Sequence, residues 1–151
     1  IAVQFFDLDM EVHTSLDVMN ELFQNQKEFF SSFMSVGKLT VHNILEKEKQ
    51  ELYNLSFPKS LSESDKTVLF LASKLNAFII SSDKTIRNTA QKNAIEYHGM
   101  IWNIDELVNL NLISKEDASS KLKQLISKNL VFQNNKELVA EMDKRLKLWG
   151  N

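Results

Sequence analysis

The sequence predicts an α/β fold in which parallel strands form a sheet with helices on both faces. Short alternating or apolar stretches are separated by helical stretches of about ten or more residues, the spacing of right-handed β-α-β units. Ser or Asp residues, which favour helix starts, follow the candidate strands. The chain contains only 3 Gly and 1 Pro, which argues against glycine-rich phosphate loops and flexible linkers.

The first predicted elements are a helix end, a strand and a long helix. The opening IAVQFF has the pattern of a helix end that leads into a turn. Met10–Thr14 alternates as a short strand, and Ser15 is placed to cap a helix that runs toward Ser35. Gly37 follows at the position where left-handed backbone closes a helix.

The middle of the chain continues the alternation of strands and helices. Leu39–Asn43 is predicted as a strand, and the charged stretch ILEKEKQELYNL as a helix. Ser56–Ser60 holds the only proline and is predicted as a loop. Leu61–Gly99 then has the pattern helix, strand, helix, strand, with an acidic residue at the opening of each helix.

The C-terminal third is predicted to be helical. The first predicted helix is Ile104–Leu110, and the second starts at the capping box of Ser114 and Asp117 and ends at Ile126. A polar break at Gln133–Asn135 separates the second helix from a third at Lys136–Leu148. We expect one domain over residues 1–130 and a C-terminal helical extension over residues 131–151.

Composition and charge exclude several classes of function. The chain is 43% hydrophobic and 25% charged, and its 18 Lys and Arg against 20 Asp and Glu give no overall attraction to a polyanion. The absence of Cys excludes disulfides, thiolate zinc sites and cysteine nucleophiles. No apolar stretch approaches the roughly 18 residues that span a bilayer, and no leader precedes the first residues. We therefore expect a cytoplasmic protein without a membrane partner.

Asp65 and Asp83 are the first candidate functional residues. Each opens a helix beside a predicted strand, and the carboxyl edge of a parallel sheet is where such folds bind ligands. Two carboxylates that converge there suit a hard divalent cation, which prefers oxygen ligands. Both acids also have a structural interpretation: Asp65 stands three residues after Ser62 in a capping box, and the helix dipole favours Asp83. The residues alone leave both interpretations open.

Glu21 is the third acid of interest because it closely follows a predicted strand. On a helical wheel it falls with Asp17 and Asn20. The opposite face is apolar and comprises Leu16, Val18, Met19, Leu22 and Phe23. Periodicity alone therefore predicts that Glu21 is solvated.

Basic residues flank the two aspartates. Lys66 follows Asp65, and Lys84 and Arg87 follow Asp83 on the first turns of their helices. Cations placed there can hold a phosphate backbone beside a metal site, and the alternative is ordinary solvated charge.

The three histidines, His13, His42 and His98, lie on or at the end of predicted strands. None has a partner at the i, i+4 spacing of a helical metal site, so we expect hydrogen-bonded structural histidines. A serine nucleophile is also disfavoured, because the chain lacks the G-x-S-x-G turn.

The segment LSESDKTVLFLASKLNAFIISSDKTIRNTAQKNAIEYHGMIWNIDELV resembles the PIN domain. The preceding EVHTSLDVMNEL is similar to the second strand and following helix of that domain, and the likeness runs from about Phe5 to about Leu125. Its most specific part is SSDKTIRNTA after an apolar strand. Within the family the chain looks closest to bacterial PIN proteins related to the VapC toxins, a likeness that includes LISKEDASSKLKQL.

This resemblance implies a three-layer α/β domain and a toxin-like endoribonuclease that depends on Mg²⁺ or Mn²⁺ and hydrolyses RNA phosphodiester bonds. Carried over by position, Glu21, Asp65 and Asp83 are the metal-binding and catalytic acids, and Ser82 takes the small hydroxyl position beside the last acid. The substrate-binding residues would be Ser82 with the flanking cations Lys66, Lys84 and Arg87.

One part of the family pattern is missing from residues 1–130. The family opens with a central strand that carries an aspartate in a D-T-N-like motif, and we expect that strand between MEVHT and AFIIS. Without it, backbone edges would be left unpaired.

The resemblance also implies RNA as substrate, a small antitoxin protein as partner, and a homodimer. The alternative function is a non-catalytic PIN-like module that binds protein or RNA without cutting it. The missing first acid and the near-neutral charge favour that alternative.

Overall fold

A computed structural model describes residues 1–128 and 135–150 of the chain. The chain divides into two units, which we call the strand unit (residues 9–100) and the helical unit (residues 1–8 and 101–151). The predicted domain boundary between residues 130 and 131 lies outside the described residues, as do Gln133 and Asn134 of the predicted polar break.

The strand unit contains two parallel strand pairs. Strand β1 (His13–Ser15) pairs with β2 (Thr40–His42), and β3 (Ile79–Ile80) pairs with β4 (Tyr97–His98). Each strand is two or three residues long, which is shorter than the sequence pattern predicted. Parallel pairing with helical connections confirms the α/β class, and the wider three-layer sheet stays a prediction.

The long helix expected from Ser15 toward Ser35 is two helices, α2 (Leu16–Glu21) and α3 (Gln24–Ser35), so that prediction was wrong. Leu22 and Phe23 between them have extended backbone, with ψ angles of 146° and 157°. The Gln26 side chain accepts a hydrogen bond of 2.9 Å from the Phe23 N–H, which satisfies a free donor at the new helix start.

The predicted start of this helical region at Ser15 and its predicted end at Gly37 are both confirmed. Ser15 caps α2, because its Oγ accepts a hydrogen bond of 3.1 Å from the Val18 N–H. Gly37 has a φ of 72°, the left-handed backbone predicted for the residue that closes the second helix.

Helix α5 (Glu63–Leu75) lies at the centre of the strand unit, after α4 (Glu46–Asn54) and before α6 (Lys84–Lys92). It packs on both sides because its apolar residues form two faces. One face packs with β3 and α6, and its buried residues are Leu61, Leu69, Ala72, Ile79, Ile86 and Ala90. The other packs near α4, and its buried residues are Ile44, Leu52, Phe70 and Leu71. This packing fixes where the first turn of α5 lies relative to its neighbours.

The helical unit contains α1 (Ala2–Phe5), α7 (Met100–Asn109), α8 (Lys115–Lys128) and α9 (Lys136–Trp149). Its core comprises Ile104, Ala118, Leu122, Met142 and Trp149. Helix α7 begins four residues before the predicted start, and Asn135 caps α9 by accepting a hydrogen bond of 3.1 Å from Leu138. In the part of the chain that the structure describes, no helix has the length and apolar character needed to cross a membrane.

Candidate metal and RNA site

Two buried hydroxyls join the end of β1 to the first turns of α5. Ser15 is fully buried at the last position of β1. The Thr67 hydroxyl oxygen lies 2.7 Å from Ser15 Oγ and 2.7 Å from the carbonyl oxygen of Ser64. Because buried hydroxyls need hydrogen-bond partners, this contact ties the start of α2 to the start of α5.

A chain of hydrogen bonds then connects Glu21 to Asp65. Ser64 is only 4% exposed, and its Oγ donates to Glu21 Oε1 at 2.6 Å. Since a serine hydroxyl has one hydrogen, the 2.9 Å contact between Ser62 Oγ and Ser64 Oγ has Ser62 as donor. Ser62 Oγ in turn accepts a hydrogen bond of 3.1 Å from the Asp65 N–H. The carboxylate that ends α2 is thereby held at the first turn of α5.

The Asp65 side chain forms the predicted capping box. Its Oδ2 accepts a hydrogen bond of 3.0 Å from the Ser62 N–H, which completes the reciprocal pair with Ser62 Oγ. The structural interpretation of this acid is therefore confirmed. It does not displace the functional one, because capping occupies a single carboxylate oxygen.

Asp83 caps α6 directly after β3. Its Oδ1 accepts a hydrogen bond of 2.9 Å from the Ile86 N–H, and its own N–H donates to Ser81 Oγ at 3.1 Å. Ser82 is exposed beside it. As with Asp65, the acid begins its helix and keeps a second carboxylate oxygen for other partners.

The three acids share one arrangement of their oxygens. In each of Glu21, Asp65 and Asp83, one carboxylate oxygen accepts a hydrogen bond from the protein. Within residues 1–128 and 135–150, no donor contacts the second carboxylate oxygen of any of the three. A carboxylate held by one oxygen can offer the second to a hard cation. Among the residues that the structure describes, no three His, Asp or Glu side chains gather as a metal-binding group.

The three candidate cations differ in their surroundings. Lys66 forms an ion pair of 2.5 Å with Glu63, which partly neutralises it. Lys84 is exposed on the first turn of α6. Arg87 is half-buried, and its Nε is buried without a hydrogen-bond partner in the described part of the chain. A buried donor without a partner is costly, and the planar guanidinium of the half-buried Arg87 matches a phosphate better than a lysine ammonium does.

The helical-wheel prediction for Glu21 was partly wrong. Glu21 is exposed as predicted, yet it accepts a hydrogen bond from the buried Ser64. Phe23, placed on the apolar face, is 77% exposed, because the helix ends before it. The helical-wheel prediction failed because it assumed that one continuous helix runs from Ser15 toward Ser35.

The histidines are hydrogen-bonded, as predicted. His98 Nε2 lies 2.8 Å from Glu96 Oε1. His13 Nδ1 and His42 Nε2 lie 3.0 Å apart across β1 and β2, a pairing that sequence spacing did not predict. Their positions 29 residues apart become neighbours only through the strand register.

Sequence reasoning also missed Ser64 and Thr67. With Leu71 they recur at the i, i+3, i+7 spacing of one helix face, and all three are buried. Two hydroxyls on an otherwise apolar face are a signal that buried partners must exist.

The family described as DUF3368, a PIN domain, matches residues 4–147, which is nearly the whole chain. No curated protein matches it.

Proposed function

Because the chain belongs to the PIN domain family, which has a nuclease-type fold, we propose that it is a metal-dependent endoribonuclease of toxin-like type. The observation that carries the proposal is the hydrogen-bonded chain from Glu21 through Ser64 and Ser62 to Asp65. It brings two acids that are far apart in the sequence to one helix start.

The donor set fits a hard divalent cation. Mg²⁺ keeps several waters and is commonly held by one or two carboxylates, so Glu21 and Asp65 are sufficient as protein ligands. The unshared oxygen of each acid is the candidate donor, and Asp83 at the start of α6 is the third acid that we assign to this site. A bound Mg²⁺ or Mn²⁺ would supply stabilisation of the charge that grows on the phosphoryl oxygens and would activate water.

The residues of the chain have separate tasks in this proposal. Ser64 orients Glu21 by donating to Oε1, which leaves Oε2 to face the ligand. The backbone N–H of Ser62 fixes Asp65 in the same way. Because these orientations are set before substrate arrives, little reorganisation is needed when the phosphate binds.

The cations would hold the RNA backbone. Arg87 carries the orphaned Nε and presents the fork geometry that matches a phosphate. Lys84 and the hydroxyl of Ser82 are exposed nearby in sequence, and Lys66 is balanced by Glu63. We therefore assign Arg87 the largest share of the phosphate contact.

The same proposal includes five more specific expectations about the sheet, the subfamily, the partner, the oligomeric state and the location. They are a three-layer sheet completed by a central strand, a closer relation to the VapC toxins, a small antitoxin partner, a homodimer and a cytoplasmic location. The two separate parallel pairs, β1 with β2 and β3 with β4, support the idea of a strand between them, because each pair has an outer edge able to accept one.

Incubation of the purified chain with generic single-stranded RNA tests the proposal. We expect cleavage with Mn²⁺ that stops when EDTA is added. A matched D83N variant tests for contaminating nuclease, because it should lose cleavage in the same preparation. If the RNA stays intact with and without EDTA, or if D83N cleaves equally, the ribonuclease proposal is wrong. Gel-shift binding of intact RNA would then favour the non-catalytic module.

A further inference from the structure

The side chains of His13 and His42 meet on one face of the β1–β2 pair. The register pairs His13 with Thr40 and Ser15 with His42, so the two histidines are diagonal neighbours. Alternation along each strand puts them on the same face. His13 Nδ1 and His42 Nε2 are 3.0 Å apart, and the rings are tilted by 44° rather than stacked. The ring nitrogens, which can bind metals, are therefore the atoms that meet.

This separation fits two occupants, a shared hydrogen or a metal ion. If one ion binds both nitrogens at about 2.05 Å and the nitrogens stay 3.0 Å apart, the N–ion–N angle is about 94°. That angle is close to the 90° of square-planar or octahedral coordination. A tetrahedral ion would need the nitrogens about 3.3 Å apart. One ion can therefore bridge the two nitrogens, and imidazole is a suitable ligand for Ni²⁺, Cu²⁺ and Zn²⁺.

The charges around the pair favour a cation. Glu11 Oε2 lies 3.4 Å from His13 Nε2, the nitrogen that does not face His42. The exposed Glu11 carboxylate adds negative charge on that side of His13. Lys74 opposes a cation, yet it is ion-paired with Glu48. With Glu11, Glu48 and Lys74 together, the surroundings carry one net negative charge.

The histidine pair is distinct from the hydrogen-bonded chain that joins Glu21 to Asp65. Within the residues that the structure describes, no hydrogen bond connects His13 or His42 to either acid.

We propose that His13 and His42 form a two-histidine site for a late first-row divalent cation. In the metal-free pair one hydrogen lies between the two nitrogens. On binding, that hydrogen moves to the outer nitrogen of its ring, so two neutral rings bind the ion without net proton release. Across residues 1–128 and 135–150 no third His, Asp or Glu completes a protein cage. Water fills the other positions, and the affinity is therefore modest.

Titration of the untagged chain with Ni²⁺, followed by calorimetry, tests this proposal. We expect saturable Ni²⁺ binding that is at least tenfold weaker in H13Q and in H42Q and unchanged in H98Q. The H98Q variant is a matched control, because His98 is hydrogen-bonded to Glu96 outside the pair. The absence of saturable binding, or equal affinity in H13Q, H42Q and the unmodified chain, would overturn it.

A second measurement uses the unmodified chain, in case a variant does not fold. In ¹⁵N spectra of the histidine rings, substoichiometric Ni²⁺ should broaden the signals of His13 and His42 and leave those of His98 sharp. Broadening of His98 alone, or of all three equally, contradicts the site. Parallel titration of D65N separates this site from the carboxylates, since its Ni²⁺ affinity should match that of the unmodified chain.

Discussion

Ser64 donates a hydrogen bond of 2.6 Å to Glu21 across 43 positions of the sequence. The donor is on the first turn of α5 and the acceptor is the last residue of α2. The hydroxyl is buried while the carboxylate reaches the surface, so one end of the contact is rigid and the other is accessible. This arrangement gives an exposed acid a defined orientation, which a solvated glutamate lacks.

Removal of the Ser64 hydroxyl should therefore loosen Glu21. We expect S64A to lose about 1 kcal/mol in free energy of unfolding, since one hydrogen bond to a charged group is lost at a partly exposed position. Mn²⁺ affinity should fall by several-fold, and S64T, which keeps a hydroxyl, should restore part of it. S73A is the matched control, because Ser73 is exposed on the same helix. Equal Mn²⁺ affinity in S64A and S73A would contradict the positioning role.

Replacement of the helix-start acids by amides separates charge from capping. Asn accepts a capping hydrogen bond nearly as well as Asp, so D65N and D83N should change the free energy of unfolding by only a few tenths of a kcal/mol. Loss of the carboxylate charge should still abolish Mn²⁺-dependent RNA cleavage. Gel electrophoresis of a labelled RNA measures this. If both variants cleave at the rate of the unmodified chain, the cleavage does not come from this site and the ribonuclease proposal is wrong.

We assign Arg87 the strongest RNA contact because its planar guanidinium matches the geometry of a phosphate. R87Q should weaken binding of a single-stranded RNA and reduce the slope of log affinity against log salt by about 0.7 to 1, the loss of one phosphate contact. K92Q serves as control, because Lys92 is exposed in the last turn of the same helix. Fluorescence anisotropy at several salt concentrations gives both slopes. A slope for R87Q that equals that of K92Q would exclude Arg87 from phosphate contact.

The helical unit should lose stability in acid through Glu141. Hydrogen bonds from Lys144 and then Arg145 lower the pKa of this carboxyl below its ordinary value of 4.5. The stabilisation is therefore complete above pH 4.5 and is lost as the pH falls through the lowered pKa. E141Q should be less stable than the unmodified chain at pH 7, and the difference should shrink as the pH falls below 4.5 and through the lowered pKa of Glu141.

Urea unfolding followed by tryptophan fluorescence measures this difference, because Trp102 and Trp149 are both in the helical unit. E137Q is the control, since Glu137 is exposed in the first turn of the same helix α9. A stability difference for E141Q that stays constant from pH 7 to about pH 3 would refute the assignment.

Local capping signals predicted four of the helix starts correctly. Ser15, Ser62 with Asp65, Asp83 and Ser114 with Asp117 all form hydrogen bonds at the starts where their spacing predicted them. These contacts join residues three positions apart, so the sequence contains both partners. The family resemblance was likewise predictable from SSDKTIRNTA and its neighbours, and the match over residues 4–147 confirms it.

Contacts that depend on tertiary structure were not predictable in the same way. The break at Leu22 and Phe23 has no Gly or Pro to mark it, so no local signal predicted it. The pairing of His13 with His42 depends on strand register, and the contact of Glu21 with Ser64 depends on how α2 packs against α5. The hydrophobic periodicity of one sequence gives no information about either of these two contacts.

The most direct test of the central claim is Mn²⁺ binding, measured by electron paramagnetic resonance, in E21Q, D65N and the double variant. If the two carboxylates share one cation, each single substitution should weaken binding at least tenfold. The double variant should be little weaker than either single one, because residues that act on one ligand are not additive. Mn²⁺ affinities in E21Q and D65N equal to that of the unmodified chain would contradict the account.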